Sequence, residues 1–142
     1  PYSRDEIVAP FRDNPAAMRQ GTFHAPEFGV DVHLVTLRKS ERHFSPTTRY
    51  QDYFEAPDLL HWESQSTTTR ASATGQRLLQ GTGRHLFFVR DERDTDGRPT
   101  PFVCLGFARP VSAQGEKPIR LRWRLDHPVP DHLYVRFEHA AG

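Results

Sequence analysis

Alternation of apolar and polar residues marks the firmest elements of this chain. "VDVHLVTL", Val30 to Leu37, places Val32 and Leu34 on one face, the period of a β-strand. "IRLRWRL" does so more strictly. Ile119, Leu121, Trp123 and Leu125 fall on one face, and Arg120, Arg122 and Arg124 on the other. Two further apolar runs, His85–Arg90 and Phe102–Arg109, flank a polar loop containing Asp96-Gly97, which predicts a β-hairpin. "LLHWESQ" reads as another strand. In "HLYVRFEH", Leu133, Val135 and Phe137 alternate with Tyr134 and Arg136, which predicts a final strand.

Helical signals are few. "SRDE" is a capping box, with Ser3 at the N-cap and Glu6 three residues on, so a short helix is expected to end near Pro10. Gln76 to Gln80 is expected to form one helical turn. Residues 11–29 hold Pro15, Gly21, Pro26 and Gly29 and read mostly as loop, as does the polar stretch Arg38 to Tyr50, broken by Pro46. Roughly five to seven short strands and one or two short helices predict a mostly β (α+β) fold, a small β barrel with a helix packed at its mouth. A parallel α/β sheet is not expected, because long crossover helices are missing.

Composition narrows the classes. The 142 residues suit one domain, 1–142. Apolar residues are 36% and aromatics 11%, enough for a compact core. The net charge of +1 is not that of a strongly basic nonspecific DNA binder. No apolar run approaches the ~20 residues of a membrane span. A lone cysteine, Cys104, allows no internal disulfide and suits a reducing cytoplasm. The first residue is not Met, so the chain is expected to be an excised piece of a larger protein.

Catalytic signatures are absent: there is no phosphate-binding P-loop and no G-x-S-x-G elbow. The paired acids Asp91/Glu92 and Asp94/Asp96 fall in the hairpin loop. Eight histidines raise the metal question, but one cysteine and unsuitable spacings give no ligand set. The expectation is a noncatalytic domain without metal or cofactor.

Two constellations carry chemistry. Arg38, Lys39, Arg42 and Arg49 lead into Tyr50, Asp52 and Tyr53. Cations of this kind hold a nucleic-acid backbone, an aromatic stacks an extruded base, and a carboxylate reads its edge; the other reading is a tyrosine pair that completes a core. In "LLHWESQSTTT", Trp62 stands among small hydrogen-bonding groups. It is either a core residue at a strand end or the stacking face of a pocket. The arginine row at 120, 122 and 124 is open to two readings in the same way: a solvated strand face or a phosphate-tracking row.

"LVTLRKSERHFSPTTRYQDYF", "HWESQSTTT", "TGQR", "HLFFVR" and "FVCLG" resemble the domain of unknown function 3427 family. The resemblance runs from about Tyr2 to Pro130. Leu60 departs from it, standing where the family usually has Phe, and the arginine row is outside its pattern. That family is found at the C-terminal end of bacterial DEAD/DEAH-type helicase proteins, often in defence or restriction contexts. It looks related to the PUA-like superfamily of EVE, ASCH and SRA domains, small β barrels of which several read modified bases. The resemblance therefore implies a PUA/SRA-like barrel that reads a modified base, such as a modified cytosine, in DNA by base flipping. Its partners would be DNA and the helicase portion of the parent chain. The implied base pocket is Tyr50, Asp52, Tyr53, His61, Trp62, Ser64 and Gln65. The implied backbone contacts are Arg38, Lys39, Arg42, Arg49, Arg70 and Arg77. Alternatives are a reader of phosphorothioate DNA and an interaction or regulatory domain that packs on its helicase.

Overall fold

The computed structural model describes residues 1–3, 6–7, 22–25, 28–38, 52–64, 68–80, 83–92, 94–95 and 97–141; at positions 38, 92, 94, 95 and 138–141 it describes backbone alone. Nine strands are seen among them: β1 (Thr22–Ala25), β2 (Val30–Arg38), β3 (Tyr53–Ala56), β4 (Leu59–Glu63), β5 (Arg84–Glu92), β6 (Asp94–Thr95), β7 (Arg98–Pro99), β8 (Val103–Gln114) and β9 (Arg120–Leu125). Two helices accompany them, α1 (Ala73–Gln80) and α2 (Asp131–Ala141).

Seven strands make one sheet in the order β1-β2-β5-β8-β9-β4-β3, and β6 and β7 form a separate ribbon. The fold is mostly β with two helices, in line with the expected class. Among the described residues β1 and β3 are the two ends of an open sheet, rather than neighbours closing the expected barrel. β2 and β5 pair in parallel, whereas every other neighbouring pair is antiparallel. The crossover between β2 and β5 was not expected. It includes the β3–β4 hairpin and the eight-residue α1 in place of one long helix.

The predicted hairpin forms as β5 and β8. Between these strands, Thr95 pairs with Arg98 beside Gly97, whose φ is +78°, a conformation that glycine adopts without a Cβ penalty. β8 runs past Pro110 to Gln114, and its register with β9 shifts between Pro110 and Ser112, the irregularity that a residue without an N–H imposes on a ladder. β1 lies within a stretch read as loop. It is only four residues long, too short for alternation to declare itself.

"HLYVRFEH" is helical, not the expected strand. Leu133, Tyr134 and Phe137 form one helical stripe against the core. Val135, expected beside Leu133 and Phe137, is 53% exposed on the other side. The helix start is set locally: the Pro130 carbonyl accepts the N–H groups of Leu133 and Tyr134. Asp131 stands in the first turn, where a carboxylate favours the positive end of the helix dipole. Phe137 then stacks on Phe54, 5.7 Å between ring centroids.

The central strands β2 and β5 are buried on both faces, and the sheet has a core on each side. Val30, Val32, Leu34 and Phe88 meet Ile7, Phe23 and Phe102 on one side. Val35, Leu37, Phe87 and Val89 meet Leu60, Trp62, Leu121, Trp123, Leu78 and Phe137 on the other. The capping box forms as read. The Ser3 N–H donates to Glu6 Oε1 at 3.0 Å and the Glu6 N–H to Ser3 Oγ at 3.1 Å. A backbone bridge between Tyr2 and Phe102 docks this segment on the smaller core.

α1 begins at Ser72, whose Oγ accepts the Gly75 N–H at 3.0 Å while donating to the Thr69 carbonyl at 2.8 Å. A Cβ on Gly75 would stand 1.9 Å from that same carbonyl oxygen. Gly→Ala inside a helix ordinarily stabilises by up to about 1 kcal/mol. Here the sign reverses: Gly75→Ala is expected to cost about 1–3 kcal/mol through overpacking. A urea-unfolding midpoint at or above wild type would contradict that expectation.

Candidate functional site

The β3–β4 hairpin carries Tyr53, His61 and Trp62 of the implied base pocket, with Asp52 and Ser64 just outside it, and the pleat of β4 sorts His61 and Trp62 onto opposite faces of the sheet. Leu60 and Trp62 point into the larger core, and His61 and Glu63 point outward. Trp62 is 5% exposed. Its indole makes edge-on contacts with His33, Phe87 and Trp123, with ring centroids 4.9, 6.1 and 6.1 Å away. Of the two readings open in the sequence, the structure places Trp62 at the core position.

Asp52 and Ser64 are buried at the open end of the hairpin. Asp52 Oδ1 accepts the Glu63 N–H at 3.0 Å. Ser64 exchanges two bonds with Ile119: its N–H donates to the Ile119 carbonyl at 2.9 Å and its Oγ accepts the Ile119 N–H at 2.8 Å. These contacts fasten β4 to its neighbours. Tyr50, Gln65, Lys39, Arg42 and Arg49 lie outside the described residues, and Arg38 ends β2 with only its backbone described.

The outer face of the hairpin is different in character. Tyr53 and His61 sit directly opposite each other on β3 and β4. Their rings lie nearly parallel, 12° apart in plane and 4.6 Å between centroids, and both are half-buried. His61 in turn faces Arg122 on β9. The β9 arginine row shares this face, and each guanidinium has a carboxylate partner from the hairpin. Arg120 reaches Glu63 at 3.4 Å, Arg122 Nε reaches Glu55 at 3.0 Å, and Arg124 Nη1 reaches Asp58 at 2.8 Å. The bond to Glu55 holds Arg122 still more firmly in its charged form. Exposed Arg109 on β8 faces Arg124 across the ladder and extends the cationic edge.

Arg70 and Arg77 diverge. Arg70 is exposed, with Nε donating to the Gly115 carbonyl at 2.9 Å. Arg77 turns inward from α1, and its Nε donates to both oxygens of buried Asp31 at 3.1 and 3.0 Å. Asp31 also meets His24 Nδ1 at 3.2 Å.

This ion pair belongs to a buried polar network that spacing alone did not reveal. His33 and His85 are 0% and 1% exposed and lie on the core-facing side of β2 and β5. Thr22 Oγ1 meets His33 Nδ1 at 3.1 Å, His33 Nε2 meets His85 Nδ1 at 3.0 Å, and His85 Nε2 meets the Arg77 carbonyl at 3.3 Å. Burial pushes the pKa of His33 well below its ordinary value. Burial lowers that of His85 too, and nearby Asp31 opposes the shift. The signal in the sequence was a histidine at an inward position of each of two apolar strands. Trp123 packs against this network, its ring tilted 50° to that of His85 at 4.8 Å between centroids, and its buried Nε1–H finds no acceptor among the described residues.

Among the described residues, no three His, Cys, Asp or Glu side chains gather as metal ligands, and no helix is long and apolar enough to cross a membrane. Comparison with curated proteins returns no match. A family model does match, over residues 2–137, nearly the whole chain and both faces of the hairpin just described. The chain belongs to the family described as Domain of unknown function (DUF3427).

Proposed function

We propose that this domain is a noncatalytic reader of a modified base in DNA, serving a helicase-type parent protein. The observation that carries the reading is the stacked, half-exposed Tyr53–His61 pair on an open sheet face bordered by Arg109 and the β9 arginines. Aromatic faces stack bases, and arginines beside them meet phosphates. Tyr53 and His61 take the stacking role in this reading, because Trp62 is committed to the core. The basic run Lys39, Arg42 and Arg49, with Tyr50, lies just before β3 in the sequence, where it supports the same role. PUA-like kinship and extrusion of the base belong to the proposal as well.

The test is fluorescence anisotropy with duplexes carrying 5-methyl- or 5-hydroxymethylcytosine, matched unmodified duplexes, and phosphorothioate duplexes. The modified-cytosine duplexes are expected to bind best. Tyr53→Ala and His61→Ala are each expected to weaken binding about tenfold or more, the worth of one base stack. Equal affinity for all duplexes, unmoved by either substitution, would sink the reading. Preference for phosphorothioate would move recognition from base to backbone.

One observation favours a second reading. Each β9 guanidinium is matched by a carboxylate, so the face carries less free positive charge than a phosphate-tracking surface needs. Under that reading the domain packs on the motor portion of its parent. Copurification with that portion, and no oligonucleotide binding at low salt, would establish it.

A further inference from the structure

The smaller core stops short of one end of the outer sheet face. Leu86 and Phe107 pair across β5 and β8 and pack at the margin of that core. His85 and Ala108 pair one rung further on, and Arg84 and Arg109 are the next residues along their strands. By the two-residue period they share the face of Leu86 and Phe107, and both are exposed. The Arg84 guanidinium carbon lies over the Phe107 ring, 3.8 Å from its centroid, as that placement requires. Arg109 faces Arg124, and Arg122, two residues along β9, faces His61. These arginines and the Tyr53–His61 stack therefore belong to one continuous face.

Arg84 and Arg109 differ from the arginines of β9, each of which has a carboxylate partner. Among the described residues they have none, and no acceptor meets their side-chain N–H groups. Asp126, whose N–H donates to the Phe107 carbonyl at 2.9 Å, pairs with neither of them. Like charges at facing positions of a sheet repel, so this corner of the face carries positive charge that nothing in the described chain answers. A cation held through the π face of a ring keeps its N–H donors available for an oxyanion. The backbone beneath Arg84 is fixed as well. Its N–H donates to the Gly29 carbonyl at 2.9 Å, and a Cβ on Gly83, whose φ is +75°, would stand 2.9 Å from that same oxygen.

We propose that Arg84 and Arg109 form a clamp for a single phosphate of the DNA backbone. The inference rests on the DNA-binding side of the proposed function and deepens it: the clamp seats the strand whose modified base stacks on Tyr53 and His61. Arginine suits the task because its planar fork grips two phosphate oxygens at once. One phosphate between the two guanidinium groups also cancels their mutual repulsion. The clamp stands three strand spacings across the sheet and two residues along from the Tyr53–His61 pair, about 16 Å at the usual strand spacing and rise. At the ~3.4 Å rise per nucleotide of B-DNA, that separation spans at most about five nucleotides.

Two measurements on the full chain decide the matter. The first is anisotropy with the 5-methylcytosine duplex and its unmodified match, at sodium chloride from about 50 to about 200 mM. The slope of log affinity against log salt reports the phosphates neutralised, about 0.9 for each. Arg84→Gln combined with Arg109→Gln is expected to flatten that slope by about 0.9, to weaken both duplexes about tenfold at the lowest salt, and to leave the ratio between them unchanged. Tyr53→Ala is expected to do the reverse, lowering the ratio and keeping the slope. An unchanged slope in the double variant overturns the clamp. A fall of about 1.8 also overturns it, since that means two separate phosphate contacts. Equal affinity for both duplexes, with a flattened slope in the double variant, overturns the base reading and supports the clamp. No duplex binding at the lowest salt overturns both. The second measurement replaces backbone phosphates one at a time by uncharged methylphosphonate. One position within about five nucleotides of the modified base is expected to cost the wild type about tenfold and the double variant nothing further. A wild-type scan without such a position overturns the clamp, whether or not the double variant folds.

Discussion

Trp62→Ala is expected to cost about 3–5 kcal/mol of stability, the range for deleting a large buried aromatic. The indole is sealed on the core side of β4 and meets three rings from β2, β5 and β9. Its loss would leave a cavity that backbone hydrogen bonding on both sides of β4 keeps from collapsing. A domain of this size has a total stability of roughly 5–15 kcal/mol, so much of the margin would go. Chemical denaturation reads the loss directly. A cost below about 1 kcal/mol would show that the ring is not packed as a core residue. The experiment also guards the interpretation of binding data. Any weakened DNA binding in Trp62→Ala has to be set against the fraction still folded, whereas Tyr53 and His61, on the outer face, offer cleaner probes.

Arg77→Ala is the second large effect, expected at about 3–5 kcal/mol, because it strips a buried carboxylate of its cation. Asp31 is almost wholly buried, and both of its oxygens accept from Arg77 Nε. Among the described residues, His24 alone would remain, at 3.2 Å. Replacing both partners, as in Asp31→Leu with Arg77→Leu, is expected to recover much of the loss, since an apolar pair leaves no unpaired charge behind. A double-mutant cycle measures that coupling. If Arg77 were instead a backbone contact to DNA, Arg77→Ala would leave stability intact and reduce the salt dependence of binding. Unchanged stability in that variant would therefore contradict the inward placement.

These effects could not be ranked from the chain alone, although the pleat of β4 was visible there. Alternation in "LLHWES" already placed Trp62 and Ser64 on one side and His61 on the other. Which side became interior was decided by what arrived against it: Trp123 and Leu121 from β9, Phe87 from β5 and Phe54 from β3. The implied base pocket takes neighbouring residues of one strand, His61 and Trp62, and a two-residue period necessarily divides such neighbours between opposite faces. The arginines of β9 alternated as read, but their carboxylate partners lie 57 to 67 residues away along the chain.

What the sequence by itself determined is local: the alternation of β2, β4 and β9, the β5–β8 hairpin with Gly97 between its strands, and the Ser3–Glu6 capping box. Each is written in residues only a few positions apart, or in a short turn that brings neighbouring strands together. Tertiary structure decided the rest. "LYVRF" meets the core at i, i+1 and i+4 as well as it alternates, and docking against Phe54 made it a helix. β2 and β5 became parallel partners only because the intervening chain crosses to the far edge of the sheet and back. That same pairing joined His33 to His85 and turned Arg77 onto Asp31. Contacts of such long separation are set by how a whole sheet buries its faces, and a local pattern carries no record of them.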